Sequence, residues 1–369
     1  MDTNYPINLL KTMLETYSPS GQEKELSIFL QAELRKLGFN SRMDDVGNVI
    51  AESGKGSPTV MLCGHMDTVP GNLTIKISKQ KMRGRGAVDA KSSLASMIIG
   101  ASRVKDEFPG KILLLAVVDE EGSGTGMRHF IQTNSIEIDY AVLGEPSNTE
   151  NIVIAYKGLL HLKLVCNTKA GHSAVPWRYD NAIDKAMEIW GLIKRGFPDS
   201  GQHKSRFHSV TGCLTGIVGG EAINTVPSKC TLTVDVRIPP DLSSNQVLNE
   251  IRKKVESYLN DNRSVKIDLE LVDQVEACLT NSDSILARSY SWAIRRIRKK
   301  NPVFLKKTGT SDMNSLALKV RIPMIAYGPG DSGLDHTDDE EIVVEDYLAA
   351  IAIHEEALKR LADLHKKSR

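Results

Sequence analysis

Five short polar runs follow apolar stretches of this chain, and they contain side chains that bind metals or transfer protons. The first is Gly64-His65-Met66-Asp67, directly after the apolar run 59–63. Side chains at positions i and i+2 of an extended chain point the same way. His65 could therefore bind a metal while Asp67 accepts its other ring N–H. A hydrogen-bonded histidine in a loop is the alternative for this pair alone.

The second run is a glycine-rich turn at 84–91, GRGAVDAK, which leads into a predicted helix. Asp89 could cap that helix. Its two carboxylate oxygens could instead bridge two cations about 3.5–4 Å apart. The glycines also resemble a phosphate-binding loop, but the complete signature of such loops is absent.

The third run, Asp119-Glu120-Glu121-Gly122, ends the most apolar stretch of the chain, 112–118. Three consecutive carboxylates repel one another unless a cation or a proton compensates. A solvated turn is the alternative, but the preceding run has the composition of a buried strand. Metal-assisted hydrolysis needs one glutamate as a ligand and a neighbour as general base for the attacking water.

Two further runs add Glu145, in GEPS at 144–147, and His336, in LDHTD at 334–338. Together the five runs supply two histidines, one bridging aspartate and two glutamates. Imidazoles with carboxylates suit Zn²⁺, and Co²⁺ or Mn²⁺ by the same donor set. Any one of these runs could occur by chance. Chance is a poor explanation for five such runs at strand ends.

The surrounding pattern indicates which elements position these residues. Predicted helices at 7–17, 23–37 and 91–104 alternate with predicted strands at 59–63, 111–118 and 140–143. This alternation predicts an α/β fold with a mainly parallel, helix-covered sheet. In such a sheet the polar residues would meet in the crevice at the carboxyl ends of the strands.

A different pattern occupies the middle of the chain. Strands at 161–167, 211–218, 230–238 and 265–272, with helices at 181–195 and 244–259, give the order β-α-β-β-α-β. That order is typical of a ferredoxin-like α+β unit. The α/β pattern returns after about residue 280. We therefore predict a discontinuous catalytic domain, 1–157 plus 275–369, interrupted by an inserted domain, 158–274.

The composition limits the remaining possibilities. The chain has 369 residues, 41% of them hydrophobic, and 47 basic against 46 acidic residues give a net charge of +1. This composition excludes a disordered chain. The near-zero net charge gives no reason to expect nucleic acid or a membrane surface as a partner. The five cysteines form no CxxC pair, which suits a reducing compartment. With no signal-peptide pattern at its start, the chain is expected to be cytoplasmic.

The motifs as a set resemble those of the M20 metallopeptidases and deacylases. That family includes acetylornithine deacetylase, succinyl-diaminopimelate desuccinylase and glutamate carboxypeptidase, and the resemblance runs along nearly the whole chain. The matching segments are GHMDTVP (64–70), GRGAVDAK (84–91), DEEG (119–122), GEPS (144–147), AGHSAVP (170–176), INTVPSKC (223–230), DVR (235–237), GTSD (309–312) and GPGDSGLDHTDDE (328–340).

This resemblance implies a role for individual residues. Two metal ions, Zn²⁺ or alternatively Co²⁺, would be held by five ligands, with Asp89 bridging: His65, Asp89, Glu121, Glu145 and His336. Glu120 would be the general base, and Asp67 would orient His65. The inserted domain would be a lid that forms a homodimer, through which His172, with Asn224, reaches the partner's site and stabilises the oxyanion. Arg237 and the Gly309-Thr310-Ser311 loop would bind the substrate's carboxylate and backbone. Without the resemblance, His172 could be a loop histidine and Asn224 a turn cap.

Within the family, the motifs are most similar to those of hydrolases that act on an amino-group carrier protein in lysine and arginine biosynthesis. Such an enzyme frees lysine or ornithine from the γ-carboxyl of the carrier's C-terminal glutamate. The alternatives are a deacylase or dipeptidase acting on small N-acyl amino acids, and a metal-binding protein without catalysis. An acidic carrier would favour a basic rim, although a solvated helix face is an equal alternative. The candidate rim residues are Arg295, Arg296, Arg298, Lys299, Lys300, Lys306 and Lys307, with Lys204 and Arg206 in the inserted domain.

Overall fold

The computed structural model describes residues 4–197 and 205–368, and it divides into two compact units. The first unit combines the chain up to residue 155 with 280–306 and the chain from 311 onward. The second unit comprises residues 156–279 and the short segment 307–310. The predicted domain boundaries at 157/158 and 274/275 lie close to these divisions.

Elements of the first unit come from both sides of the second. Before it lie α1 (Asn4–Glu15), α2 (Lys24–Lys36), β1 (Asn40–Met43), β2 (Val49–Gly54), β3 (Thr59–His65), β4 (Lys76–Ile77), β5 (Lys81–Arg83), α3 (Lys91–Val104), β6 (Lys111–Val117), α4 (Thr125–Thr133), β7 (Tyr140–Leu143) and β8 (Ile152–Tyr156). The second unit contains β9 (Gly158–Asn167), β10 (Gly171–His172), α5 (Ala182–Arg195), β11 (Thr211–Gly219), β12 (Thr225–Val226), β13 (Lys229–Ile238), α6 (Ser244–Asp261), β14 (Lys266–Val275) and β15 (Cys278–Leu279). After it follow α7 (Ile285–Arg298), β16 (Phe304–Lys307), α8 (Asp312–Lys319), β17 (Met324–Ala326), β18 (Glu341–Val343) and α9 (Val344–Ser368).

The first unit is built around a mixed sheet in which the strand order runs β1-β2-β6-β3-β7-β17-β8. The central strands are parallel, as predicted: β3 pairs with β6 and β7, and β7 pairs with β17. Antiparallel strands flank them, because β2 pairs antiparallel with β6 and β17 pairs antiparallel with β8. All seven residues of β3 are buried, and in sheets of this kind ligands bind just beyond the carboxyl ends of the strands.

The second unit has the predicted ferredoxin-like topology. Its antiparallel sheet runs β11-β13-β9-β14, and α5 and α6 pack with it to form one apolar core. Burial alternates along β13, as expected for a sheet with one covered and one solvated face. A capping box between Ser243 and Gln246 fixes the start of α6.

The described helices include none that is long and apolar enough to cross a membrane.

Close packing of α3 against α9 depends on Gly100. A Cβ atom at this position would lie 2.5 Å from the Cβ of His354 and 3.1 Å from the carbonyl oxygen of Ile351. We expect Gly100→Ala to lower the unfolding free energy by about 1–2 kcal/mol, because overpacking outweighs the gain in helix propensity. Scanning calorimetry would measure the loss.

Gly191 of α5 is the matched control for Gly100. A Cβ there would meet only the guanidinium end of Arg195, at 3.2 Å. Gly191→Ala should therefore raise stability by about 0.5–1 kcal/mol. If Gly100→Ala were as stable as Gly191→Ala, close helix packing at Gly100 would be disproved.

Candidate metal centre

The carboxyl ends of three adjacent parallel strands bring predicted site residues to one edge of the sheet. His65 is the last residue of β3, Glu120 and Glu121 follow β6, and Glu145 follows β7. His336 lies in the loop after β17, which is next to β7. All five residues belong to the first unit.

Asp89 lies between the two histidines. One carboxylate oxygen, Oδ1, is 3.2 Å from Nε2 of His65, and the other, Oδ2, is 3.1 Å from Nε2 of His336. Nε2 of His336 also lies 2.8 Å from Oε1 of Glu121. The Asp89 carboxylate does not cap α3, whose N-terminus has no side-chain cap. The helix-cap alternative for Asp89 is therefore wrong.

The donor atoms are close enough to share a metal ion. His65, Asp89 and Glu121 each offer a ligand atom, and these atoms lie within 4.8 Å of one another. His65 is buried at 2% exposure, whereas half of the His336 side chain is exposed. Imidazole nitrogens and carboxylate oxygens at such spacing fit a divalent cation, which would also offset the crowding of buried carboxylates.

The electrostatics of the cluster favour positive charge between the carboxylates. Hydrogen bonding to Asp89 and Glu121 raises the pKa of His336 to about 10. Burial opposes the charge on His65, but its hydrogen bonds to Asp67 and Asp89 leave its pKa well above the usual range. Burial also opposes the charge on Asp89, yet both histidines hold the pKa of Asp89 below its usual value.

Asp67 contacts His65 differently from the prediction. Nδ1 of His65 lies 2.9 Å from the backbone carbonyl oxygen of Asp67 and 3.6 Å from its carboxylate Oδ1. The fully buried Asp67 carboxylate instead accepts the backbone N–H groups of Glu120 and Glu121, both at 3.0 Å. It also accepts the hydroxyl of Ser20 at 2.7 Å. Asp67 thus holds the ring through its main chain and the Glu120-Glu121 turn through its side chain.

Glu120 occupies an anionic environment beside these donors. Burial raises its pKa well above the usual range, and the charges of Glu145, Asp312 and Glu121 raise it further, against the lowering effect of His65. Asp119, the third carboxylate of the run, faces elsewhere: its Oδ2 accepts the hydroxyl of Thr125 at 2.6 Å. The predicted trio therefore separates into two candidate site residues and one turn residue.

The second unit holds the other predicted site residues. His172 and Asn224 are neighbours there, because β10 pairs with β12 and the N–H of Ser173 donates to the carbonyl of Asn224 at 3.0 Å. Both side chains are exposed. Arg237 makes a two-pronged contact with Asp235 on the same strand, at 2.8 and 2.9 Å. Gly309 and Thr310 lie in the 307–310 segment. Substrate-binding roles for these residues remain predictions.

Comparison with known proteins identifies the family. The sequence model described as peptidase family M20/M25/M40 matches residues 61–360 of this chain. The chain belongs to the M20 peptidase family. This M20 chain is therefore a metal-dependent hydrolase of amide bonds, and the family resemblance of its motifs is confirmed.

Relatives similar to the M20 chain match it over nearly the full length. A Deinococcus radiodurans protein named LysW-lysine hydrolase is 31% identical over 96% of each chain. A Sulfurisphaera tokodaii protein named LysW-lysine/LysW-ornithine hydrolase is 29% identical, covering 97% of this chain and 96% of its own.

Solved structures share the M20 fold. Aminopeptidase PepT of Bacillus cereus superposes with a TM-score of 0.80 at 19% identity, covering 98% of this chain and 99% of its own. A Bacillus subtilis protein described as a dinuclear metal binding peptidase of the M20 family gives a TM-score of 0.77 at 15% identity, over 97% and 98% of the two chains.

Sequence reasoning missed several residues that support the M20 site. Asp312 ends the GTSD motif, which predicts no role for it, yet it is buried at 7% exposure, and burial raises its pKa to about 7. Arg85 and Glu340 form a buried ion pair of 2.9 Å beside Asp89. All three lie inside motifs, which was the available signal, but their partners are far away in sequence.

Proposed function

We propose that this M20 hydrolase releases lysine, ornithine or both from the C-terminal γ-glutamyl group of an amino-group carrier protein, in lysine and arginine biosynthesis in the cytoplasm. The arrangement of Asp89 between His65 and His336 carries the proposed chemistry. The similarity to proteins named LysW-lysine and LysW-ornithine hydrolases, over at least 96% of both lengths, supports the substrate.

The proposed metal ligands are His65, Asp89, Glu121, Glu145 and His336, holding two Zn²⁺ ions, with Co²⁺ as an alternative. Bound divalent cations supply Lewis acidity, which polarises an amide carbonyl and makes water more acidic. Asp89, with an oxygen facing each histidine, is the bridging ligand of this proposal. Asp67 keeps His65 and the Glu120-Glu121 turn in place through its main-chain and side-chain contacts.

Glu120 is the proposed general base. Its carboxylate takes a proton from the attacking water and returns it to the leaving amine of lysine or ornithine. The hydrogen bond from its N–H to Asp67 fixes the backbone at this position, and the neighbouring carboxylates favour proton uptake. Glu120 can therefore hold the proton between the two steps.

His172 and Asn224 are proposed to bind the oxyanion of a partner subunit's substrate in a homodimer formed through the second unit. Arg237, Gly309 and Thr310 are proposed to hold the substrate's carboxylate and backbone. An edge strand of the second unit, β11, supports a homodimer, because Ile217 and Val218 on it are 48% and 76% exposed. Analytical ultracentrifugation tests the assembly, and a monomer at working concentration would disprove it.

Ion pairs occupy several of the predicted carrier-docking residues. Arg298 contacts carboxylates of Glu150, Asp346 and Glu345 at 3.0–3.2 Å. Arg296 pairs with Glu356 and Lys300 with Glu150. Reversing the charge of Arg298 would therefore disturb the first unit itself. The exposed Lys299 is the better probe of carrier docking, while Lys204 lies outside the described residues.

Amino-acid release from defined substrates tests the proposed function. Carrier-linked lysine and ornithine are compared with acetylornithine and succinyl-diaminopimelate, each assayed with Zn²⁺ and with Co²⁺. We expect release from the carrier at a kcat/KM at least about 100-fold above that of either small substrate, since remote binding energy contributes to the transition state. Release mainly from a small acyl substrate would instead identify a deacylase and would reject the carrier.

A further inference from the structure

Two loops that carry Asp89 and His336 are tied together by a buried ion pair. Nη1 of Arg85 donates to Oε2 of Glu340 at 2.9 Å, and the two side chains are only 7% and 1% exposed. Arg85 lies four residues before Asp89, and Glu340 lies four residues after His336. The pair therefore joins the two segments that contain Asp89 and His336, whose side chains contact each other in the site.

Each side chain of this pair also has a backbone partner in the opposite loop. The other carboxylate oxygen of Glu340, Oε1, accepts the N–H groups of Val88 at 2.9 Å and of Asp89 at 3.1 Å. Nη1 of Arg85 also donates to the carbonyl of Thr337, directly after His336, at 2.9 Å. Each loop is thus held by the charged side chain of the other.

We propose that Arg85 and Glu340 are positioning residues that set the metal affinity of the site by fixing Asp89 relative to His336. The inference rests on the proposed metal ligands. Neither side chain contacts a histidine of the cluster, so the effect passes through the backbone of Asp89 and Thr337. Outer contacts of this kind typically change metal affinity by about 10- to 100-fold.

Glu340→Gln tests the contribution of the carboxylate. Glutamate uses both oxygens as acceptors, whereas glutamine has one oxygen and one NH₂ group. In either orientation the NH₂ group faces donors, either those of Arg85 or the N–H groups of Val88 and Asp89. Arg85→Lys is a second variant that keeps the charge. One ammonium cannot replace the guanidinium, whose Nε donates to the carbonyl of Gly71 and whose Nη1 donates to that of Thr337.

Metal-free protein is titrated with Zn²⁺ and with Co²⁺ against a chromophoric chelator, and the Co²⁺ absorption spectrum is recorded. We expect Glu340→Gln and Arg85→Lys to raise the Kd of at least one ion by about 10- to 100-fold and to change the spectrum. Glu341→Gln, at the exposed neighbouring pair with Lys81, is the matched control and should keep the wild-type Kd. A role in stability alone would lower the melting temperature of the metal-free protein but leave the Kd and spectrum unchanged.

Asp89→Asn separates failure of this inference from failure of the proposed metal site. If Asp89→Asn loses metal while Glu340→Gln and Arg85→Lys bind like the wild type, the positioning role is overturned and the metal site stands. If Asp89→Asn binds both ions with wild-type Kd, the proposed metal site is overturned, and the positioning role with it.

Discussion

Replacing Glu120 by glutamine should lower kcat by at least about 1,000-fold, because the amide cannot take the proton from the attacking water. Glutamine has nearly the same shape and leaves intact the hydrogen bond from the backbone N–H of residue 120 to Asp67. Metal content and substrate binding should therefore stay near wild type. Single-turnover kinetics with carrier-linked lysine, together with metal analysis of the same samples, measure both quantities.

Asp119→Asn is the control for Glu120→Gln. Asp119 precedes Glu120 in the chain, but its carboxylate accepts hydrogen bonds from Thr125 and not from the cluster. We expect a change in kcat below about 5-fold, because this residue shapes the turn without meeting the substrate. Near-wild-type turnover by Glu120→Gln would assign the general base to another carboxylate, with Asp312 the first candidate.

Acid should destabilise the first unit through His354, a histidine that is not among the proposed metal ligands. His354 is fully buried in α9, where its Nδ1 contacts the hydroxyl of Tyr290 at 2.8 Å, and its Nε2 has no partner among the described residues. Burial lowers the pKa of His354 from 6.5 to about 3. The imidazole is therefore neutral in the folded protein.

The sign of the effect follows from proton binding. Between pH 6.5 and 3 the unfolded chain binds a proton at His354 that the folded protein does not bind. Well above pH 6.5 this histidine does not lower the unfolding free energy. As the pH falls toward 3, the unfolding free energy decreases by up to about 1.4 kcal/mol per pH unit. At about pH 5, His354 alone should have lowered the unfolding free energy by about 2 kcal/mol.

His354→Gln isolates this contribution, because glutamine keeps a hydrogen-bond acceptor for Tyr290 but does not titrate. The wild type should lose about 2 kcal/mol more than the variant between pH 7.5 and about pH 5, as measured by urea unfolding. Tyr290→Phe retains the histidine and should retain the acid loss. Parallel stability profiles for the wild type and His354→Gln would contradict a depressed pKa at this position.

The sequence predicted the elements with strong periodicity and the side chains at their ends. β7 and α3 have the predicted bounds, and the ferredoxin-like order of the second unit is confirmed. The short strands β1 and β8 were missed. β1 is the polar run Asn-Ser-Arg-Met, and its position depends on pairing with β2, not on an apolar pattern of its own.

The candidate site was predicted as a set of residue types, but its internal contacts were not. The alternation of side chains suggested that the Asp67 carboxylate meets His65, whereas the backbone carbonyl of Asp67 makes the closer contact. β3 ends at His65, so the i and i+2 rule for a regular strand does not extend to Asp67. Glu340, 251 residues from Asp89 in sequence, could be located only by the fold.

The division of the first unit into segments on both sides of the second has a consequence for synthesis on the ribosome. Glu145 precedes the second unit and His336 follows it. About 190 residues separate them, which takes roughly 10–40 s at ordinary elongation rates. During that interval the nascent chain carries four of the five proposed ligands, while the uninterrupted sheet and helices of the second unit can already fold. Completion of the proposed metal centre is therefore a late event in the synthesis of this enzyme, and a cation bound earlier would be held by an incomplete set of the proposed ligands.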